Sequence, residues 1–217
     1  MVFHSPLAVC KGLVLDRVQR VFHGTSVLCK RRCRASYGVL CSERYDKNRH
    51  HGQTPVKSPL DGKYYVTNQI DWFIRKGEVV TEDVPIIHQC SRIIGWDSPE
   101  RGWRDTVTMS RLPSDCLPHV LGQGDAREVC TVVTDLGPAV LNAETPGVEM
   151  KRRWGVLGKK FLRAEYELLV FIEGESLKFR TRVNGEEKSE TEAVAAPWVF
   201  TRGTEEGDEF QGGLLRN

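Results

Sequence analysis

From residue 36 onward, apolar and polar residues alternate with a period of two in short runs separated by Gly, Pro, Asp and Asn clusters. Such alternation sends every second side chain to one face of an extended strand. The runs 36–41 (SYGVLC), 64–77 (YYVTNQIDWFIRKG), 86–94 (IIHQCSRII), 105–112 (DTVTMSRL), 128–136 (EVCTVVTDL), 164–173 (AEYELLVFIE) and 176–183 (SLKFRTRV) are predicted strands, with 192–200 (EAVAAPWVF) as a further candidate. Short strands without intervening helical patterns predict a mainly β chain, a sandwich or barrel.

The sharpest local pattern is a hairpin. Tyr166, Leu168, Val170 and Ile172 alternate along one arm, Gly174 and Glu175 turn the chain, and Leu177, Phe179, Thr181 and Val183 alternate along the other. A two-residue loop with glycine first suits a type II′ turn. The resulting register sets Ile172 against Leu177, Val170 against Phe179, Leu168 against Thr181 and Tyr166 against Val183, all on one face. Glu167 then opposes Arg182 on the other face. Asn184-Gly185 offers a second tight turn into a polar third strand, which belongs at an edge.

Before residue 36 the period changes. Over 6–21, Val9, Leu13, Val14, Val18 and Val21 recur at helical spacing behind Pro6, which the first turn of a helix tolerates. One such helix buries too little to stand alone. The segments 113–127 and 137–160, rich in Gly and Pro, are predicted long connections in which flexibility concentrates.

Composition changes this picture little. The 217 residues are 40% apolar and 28% charged, with a formal net charge of +2. That charge does not call for a nucleic-acid or membrane partner, although basic residues gather at 30–34 and 151–160 and acidic ones at 186–192 and 205–209. Seven cysteines, scattered from Cys10 to Cys130, are a poor match to a disulfide framework. Reduced thiols and a cytoplasmic location, with the nucleus as the alternative, follow. The N-terminus lacks the basic region of a signal peptide.

Candidate chemistry is sparse. Cys29 and Cys33, with Cys41 and His50 or His51, fall loosely within zinc-binding spacings. A structural site ordinarily offers two tight ligand pairs, whereas here the histidines stand side by side in a polar loop sequence. Ordinary thiols and loop histidines are the better reading. Lys30, Arg31, Arg32 and Arg34 surround Cys33 and could activate its thiol or bind a phosphate, against the plainer reading of a solvated linker. The chain carries no G-x-S-x-G, H-E-x-x-H or phosphate-loop motif. GQGDAR, residues 122–127, reads as a flexible turn. Trp72, Phe73, Trp96 and Trp103 read as core and sandwich-edge packing ahead of a ligand-stacking surface.

The order of several pieces carries a resemblance. PLAVCKGLVL, then a linker, RASYGVLCSERYDKNRHHGQ, NQIDWFIRKGEVV and AEYELLVFIEGESLKFRTRVNGEE together resemble the C-terminal half of a divergent heat-shock protein 70 family member, of the actin-like ATPase superfamily. Pro6, Ala8, Val9 and Gly12 look like the last helix of the ATPase domain. Ser36, Tyr37, Gly38 and Val39 look like the first strand of the substrate-binding β-domain. WFIRKGEVV resembles a strand, a turn at Lys76-Gly77 and a return strand, and 166–183 resembles the late strand pair.

The resemblance implies an ATPase-helix remnant over 1–22, a basic linker over 23–35, a β-sandwich resembling the substrate-binding domain over 36–200 and a flexible tail over 201–217. It further implies a non-catalytic module that binds an extended apolar peptide or unfolded segment, with an N-terminal ATPase domain as a possible missing partner. The family's phosphate loops have no counterpart here, so ATP is implied for full-length relatives and no cofactor for this chain. Tyr37, Val39, Trp72 and Ile74 are the candidate cleft or core residues, core being favoured for each. Two readings compete: a truncated gene product without independent function, and a small zinc or thiol protein using Cys29, Cys33, Cys41 and His50.

Overall fold

The computed structural model describes residues 6–24, 30–81, 84–96, 102–135, 147–153, 158–173, 176–190 and 194–195. Helix α1 (Pro6–His23) is closed by Gly24, whose φ of +65° is the left-handed conformation that ends helices. Among the described residues the strands that follow are β1 (Lys30–Arg32), β2 (Ser36–Arg44), β3 (Val56–Lys57), β4 (Tyr64–Ile74), β5 (Val79–Thr81), β6 (Ile86–Gly95), β7 (Gly102–Ser110), β8 (Arg127–Asp135), β9 (Val148–Arg152), β10 (Lys160–Glu173), β11 (Ser176–Val183), β12 (Glu186–Glu190) and β13 (Val194–Ala195). No helix among the described residues is long and apolar enough to cross a membrane.

Two antiparallel sheets stack. One runs β3-β4-β2-β7-β8; the other runs β12-β11-β10-β6, with β9 on β10 and β13 on β11. Tyr37, Val39, Ile74, Val107, Met109 and Val132 of the first meet Leu168, Val170, Ile172, Leu177 and Phe179 of the second in one buried cluster. Alternation therefore points as predicted, and the fold is mainly β with one N-terminal helix.

The late hairpin keeps its predicted register: Ile172 pairs with Leu177, Val170 with Phe179, Leu168 with Thr181 and Glu167 with Arg182. Arg182 Nε donates to Glu167 Oε2 on the face away from the core. The turn at 174–175 lies outside the described residues. Asn184 and Gly185 both take positive φ, as a tight hairpin turn requires, and β12 is the outer strand of its sheet.

Polar bonds fasten the sheets to each other inside the core. Tyr166 on β10 donates its hydroxyl to Asp105 Oδ1 on β7 at 2.8 Å, and Arg92 Nη2 on β6 donates to the same oxygen at 2.9 Å. Trp103 Nε1 donates to Asp105 Oδ2 at 3.1 Å. The carboxylate is 2% exposed, and these bonds replace the water it has lost. Thr134 Oγ1 and Thr181 Oγ1 form a second link at 3.0 Å.

Several expectations need correction. The stretch read as a linker contains β1, which pairs with β5 and brings Cys33 into the core. WFIRKGEVV turns at Gly77 as expected, but its return strand pairs with β1 and not with β4, because Cys33 exchanges main-chain bonds with Gly77 and Glu78. The connection 137–160 contains β9, which extends the sheet along β10. Of the 192–200 run, Val194–Ala195 is strand as expected, while 192–193, 196–200 and 201–217 lie outside the described residues. His50 is in a loop but is 3% exposed, because its ring satisfies polar groups inside that loop.

Candidate functional site

At the outer edge of β4 the chain holds a piece of its own backbone through a single antiparallel bridge, with a bend before it and a turn after it. Along this edge, β3 pairs with Tyr64 and Tyr65. Beyond them, Thr67 and Asn68 lie opposite a register shift between Cys41 and Glu43 of β2, and Asn68 takes φ +59°. A bulge of this kind bends a strand and re-aims its backbone groups. Ile70 N then donates to His119 O at 2.8 Å, and Leu121 N donates to Asn68 O at 2.9 Å. Gln69 and Val120 sit opposite each other as an antiparallel bridge.

The partner segment belongs to the connection from Arg111 to Ala126, here called the strap. It runs antiparallel to β4. Arg75 Nη1 donates to Ser114 O at 3.3 Å, Trp72 Nε1 to Pro118 O at 2.9 Å, and the His119 and Leu121 bonds follow. Lys76 Nζ caps Arg111 O at 2.7 Å. Leu117, Pro118, Val120 and Leu121 are half-buried, whereas His119 is exposed.

The strap's two ends are clamped by one side chain. Asp125 Oδ1 accepts from Ser110 Oγ, and Asp125 Oδ2 accepts from Arg111 N at 2.7 Å. Burial raises the Asp125 pKa, but the bonds from Ser110 and Arg111 and the nearby Arg127 outweigh it and hold the carboxyl below its ordinary range. GQGDAR, expected to be only a flexible turn, thus supplies the clamp, and positive φ at Gly122 and Gly124 turns the chain back toward β8.

Trp72 owes its place to Gly38. A Cβ at Gly38 would lie 2.7 Å from Ile70 Cγ2, 2.8 Å from Asp71 O and 3.0 Å from Trp72 Cε3. Only glycine lets β4 press these side chains across β2. Of the four candidate residues, Tyr37, Val39 and Ile74 lie in the inter-sheet core, while Trp72 is half-buried against the strap. Asp125, Asn68 and Ile70 were missed: two act through backbone groups, and the third through a pairing between distant residues. The sequence signal was Leu117-Pro118-His119-Val120-Leu121, an apolar stretch inside a segment otherwise read as turn.

The cysteine and histidine constellation is taken apart by the fold. Asp46 N donates to His50 Nδ1 at 2.9 Å, which places the ring proton on Nε2, facing Glu43 Oε2 at 3.3 Å. Cys33 is buried, and burial with Glu78 nearby pushes its thiol up to about 11 despite the basic neighbours in sequence. Burial, then Asp71 and Glu43, push Cys41 up to about 12. Cys29 lies outside the described residues, and no group of three or more possible metal ligands forms among the described ones. Of the other aromatic residues, Trp103 packs on Tyr166 in the core and Phe73 on His88, whereas Trp96 is exposed with Lys160 over its ring.

A β-sandwich that holds one of its own connections against a strand edge is the class of domain these features define. Residues 31–194 match the family described as a domain of unknown function, DUF8568, and the chain belongs to that family. No curated protein and no solved structure matches the chain.

Proposed function

We propose that this chain is a non-catalytic module that binds extended polypeptide, of the kind the heat-shock protein 70 substrate-binding domain represents. One observation carries the reading: the Asn68–Ile70 edge of β4 holds a bridged segment of the chain itself through two main-chain bonds, with the Trp72 indole bound to a further carbonyl. Main-chain bonds at a sheet edge give affinity with little dependence on sequence, which suits a receptor for unfolded chain. The resemblance supports the same reading, since its most specific pieces, RASYGV and QIDWFIRKGE, fall on β2 and β4. Gly38 and Trp72 in those pieces shape this edge.

Carboxymethylated lactalbumin, a permanently unfolded chain, provides the test. Saturable binding to the intact protein in fluorescence anisotropy is expected, with no gain on adding ATP. Absence of binding up to the solubility limit would refute the reading.

A further inference from the structure

The strap is longer than chain connectivity requires. Met109 of β7 and Arg127 of β8 are register partners in neighbouring strands, a spacing that two to five residues ordinarily close. Instead the chain runs from Arg111 to Ala126, passes to the far side of β2 and pairs with β4 before returning. The Asp125 clamp joins the two ends of this excursion at Ser110 and Arg111. Closure of the hairpin therefore does not depend on where the middle lies.

We propose that residues 117–121 are a built-in occupant of the β4 edge, and that the edge accepts in their place a short segment of the pattern apolar-Pro-x-apolar-apolar. This rests on the peptide-binding reading above and adds its ligand class and its regulation. The pattern follows from the contacts. The Pro118 position contributes a carbonyl to Trp72, the His119 position a carbonyl to Ile70, and the Leu121 position an N–H to Asn68. No bond at the Pro118 position uses an N–H, so proline fits there; at the Leu121 position it does not. The half-buried Leu117, Val120 and Leu121 ask for apolar side chains, and exposed His119 is open to any residue.

A tethered occupant competes at an effective concentration in the millimolar range. An external segment consequently sees only the fraction of molecules in which the strap has lifted, and its apparent affinity falls by that fraction. Residues 117–121 hold the edge by a few bonds, whereas Asp125, Lys76 and Arg75 hold the strap's base, so the middle can leave without the ends.

The probe is a fluorescein-labelled peptide, Leu-Pro-His-Val-Leu-Gly-Gln, with the sequence of residues 117–123. Leu121→Pro in the full chain removes the N–H that Asn68 accepts and is expected to tighten probe binding about fivefold, the worth of one main-chain bond. Replacing residues 114–123 by Gly-Asn-Gly is expected to tighten it at least as much. In the unaltered protein, excess unlabelled peptide is expected to speed hydrogen exchange at the Leu121 amide while Ile70 stays protected; this readout needs no variant to fold. Equal affinity of all three proteins for the probe, or unchanged Leu121 exchange at saturating peptide, overturns the inference while lactalbumin binding leaves the peptide-binding reading standing. Failure of every protein to bind either probe overturns both.

Discussion

The hydroxyl of Tyr166 and the carboxylate of Asp105, on strands of opposite sheets, meet at 2.8 Å in the sandwich interior. Asp105 also takes bonds from Arg92 and Trp103, so a single buried carboxylate gathers three donors from three strands or positions. Tyr166→Phe should lower stability by about 1.5–3 kcal/mol, the range for a hydrogen bond to a charged group. Asp105→Ala, which leaves Arg92 without its carboxylate and Tyr166 and Trp103 without an acceptor, should cost about 3–5 kcal/mol. Urea unfolding with an unchanged m-value measures both.

Tyr37 presents the opposite case. Its ring fills the core at 1% exposure, yet its hydroxyl finds no partner among the described residues. Burial, with a contribution from Cys33, raises its pKa and keeps the phenol neutral. Tyr37→Phe should therefore be neutral or stabilise by up to about 1–2 kcal/mol, since the desolvation cost of an unpaired hydroxyl disappears. A loss of more than about 1 kcal/mol would reveal a hidden partner for that oxygen.

At Gly38, β2 has no room for a Cβ against Ile70, Asp71 and Trp72 of β4. Gly38→Ala should cost about 1–3 kcal/mol through overpacking against Ile70 and Trp72. The strap should loosen at the same time, because Trp72 carries its bond to Pro118. Thermal unfolding and hydrogen exchange at the Leu121 amide read the two effects.

Much of this fold was legible, and the reason is local. Where one face of a strand is buried, alternation sets which side chains face the core and a two-residue turn then sets register, as in the pairing of Val170 with Phe179 and Leu168 with Thr181. The short strands were harder: Lys30–Arg32 has no apolar alternation and is strand only because β5 lies beside it. The β4 edge was legible only in Trp72, since its other parts are main-chain groups of Asn68, Ile70, His119 and Leu121. Backbone donors leave no mark on residue identity. Asp125 was hidden for a related reason, its partners being a serine hydroxyl and a backbone N–H brought together by the β7–β8 register.

Acid should loosen the base of the strap. Asp125 is held below the ordinary carboxylate pKa, so its contribution is complete above about 3.9 and is lost as pH falls through the lower folded value. Hydrogen exchange at the Arg111 amide, corrected for its intrinsic pH dependence, should accelerate in that acid window. Asp125→Asn should remove the acceleration.

The thiols should divide into two groups. Cys10 and Cys116 are exposed, whereas burial pushes Cys33 and Cys130 up to about 11 and Cys90, also near Asp105, up to about 12, alongside Cys41. At pH 8 a thiol with pKa 11 is thiolate in about one molecule in a thousand. Among the cysteines of the described residues, a chromogenic disulfide should label Cys10 and Cys116 quickly and Cys33, Cys41, Cys90 and Cys130 slowly until denaturant is added, with peptide mapping assigning each site.

The direct pairing of Met109 with Arg127 also bears on the order in which the chain folds. A hairpin of β7 and β8 can zip with its connection left loose, whereas Leu121 cannot reach its acceptor until β4 has been laid down beside β2. Docking of residues 117–121 should accordingly follow the laying down of β4, and its reversal would be a sub-global opening that leaves the sandwich folded.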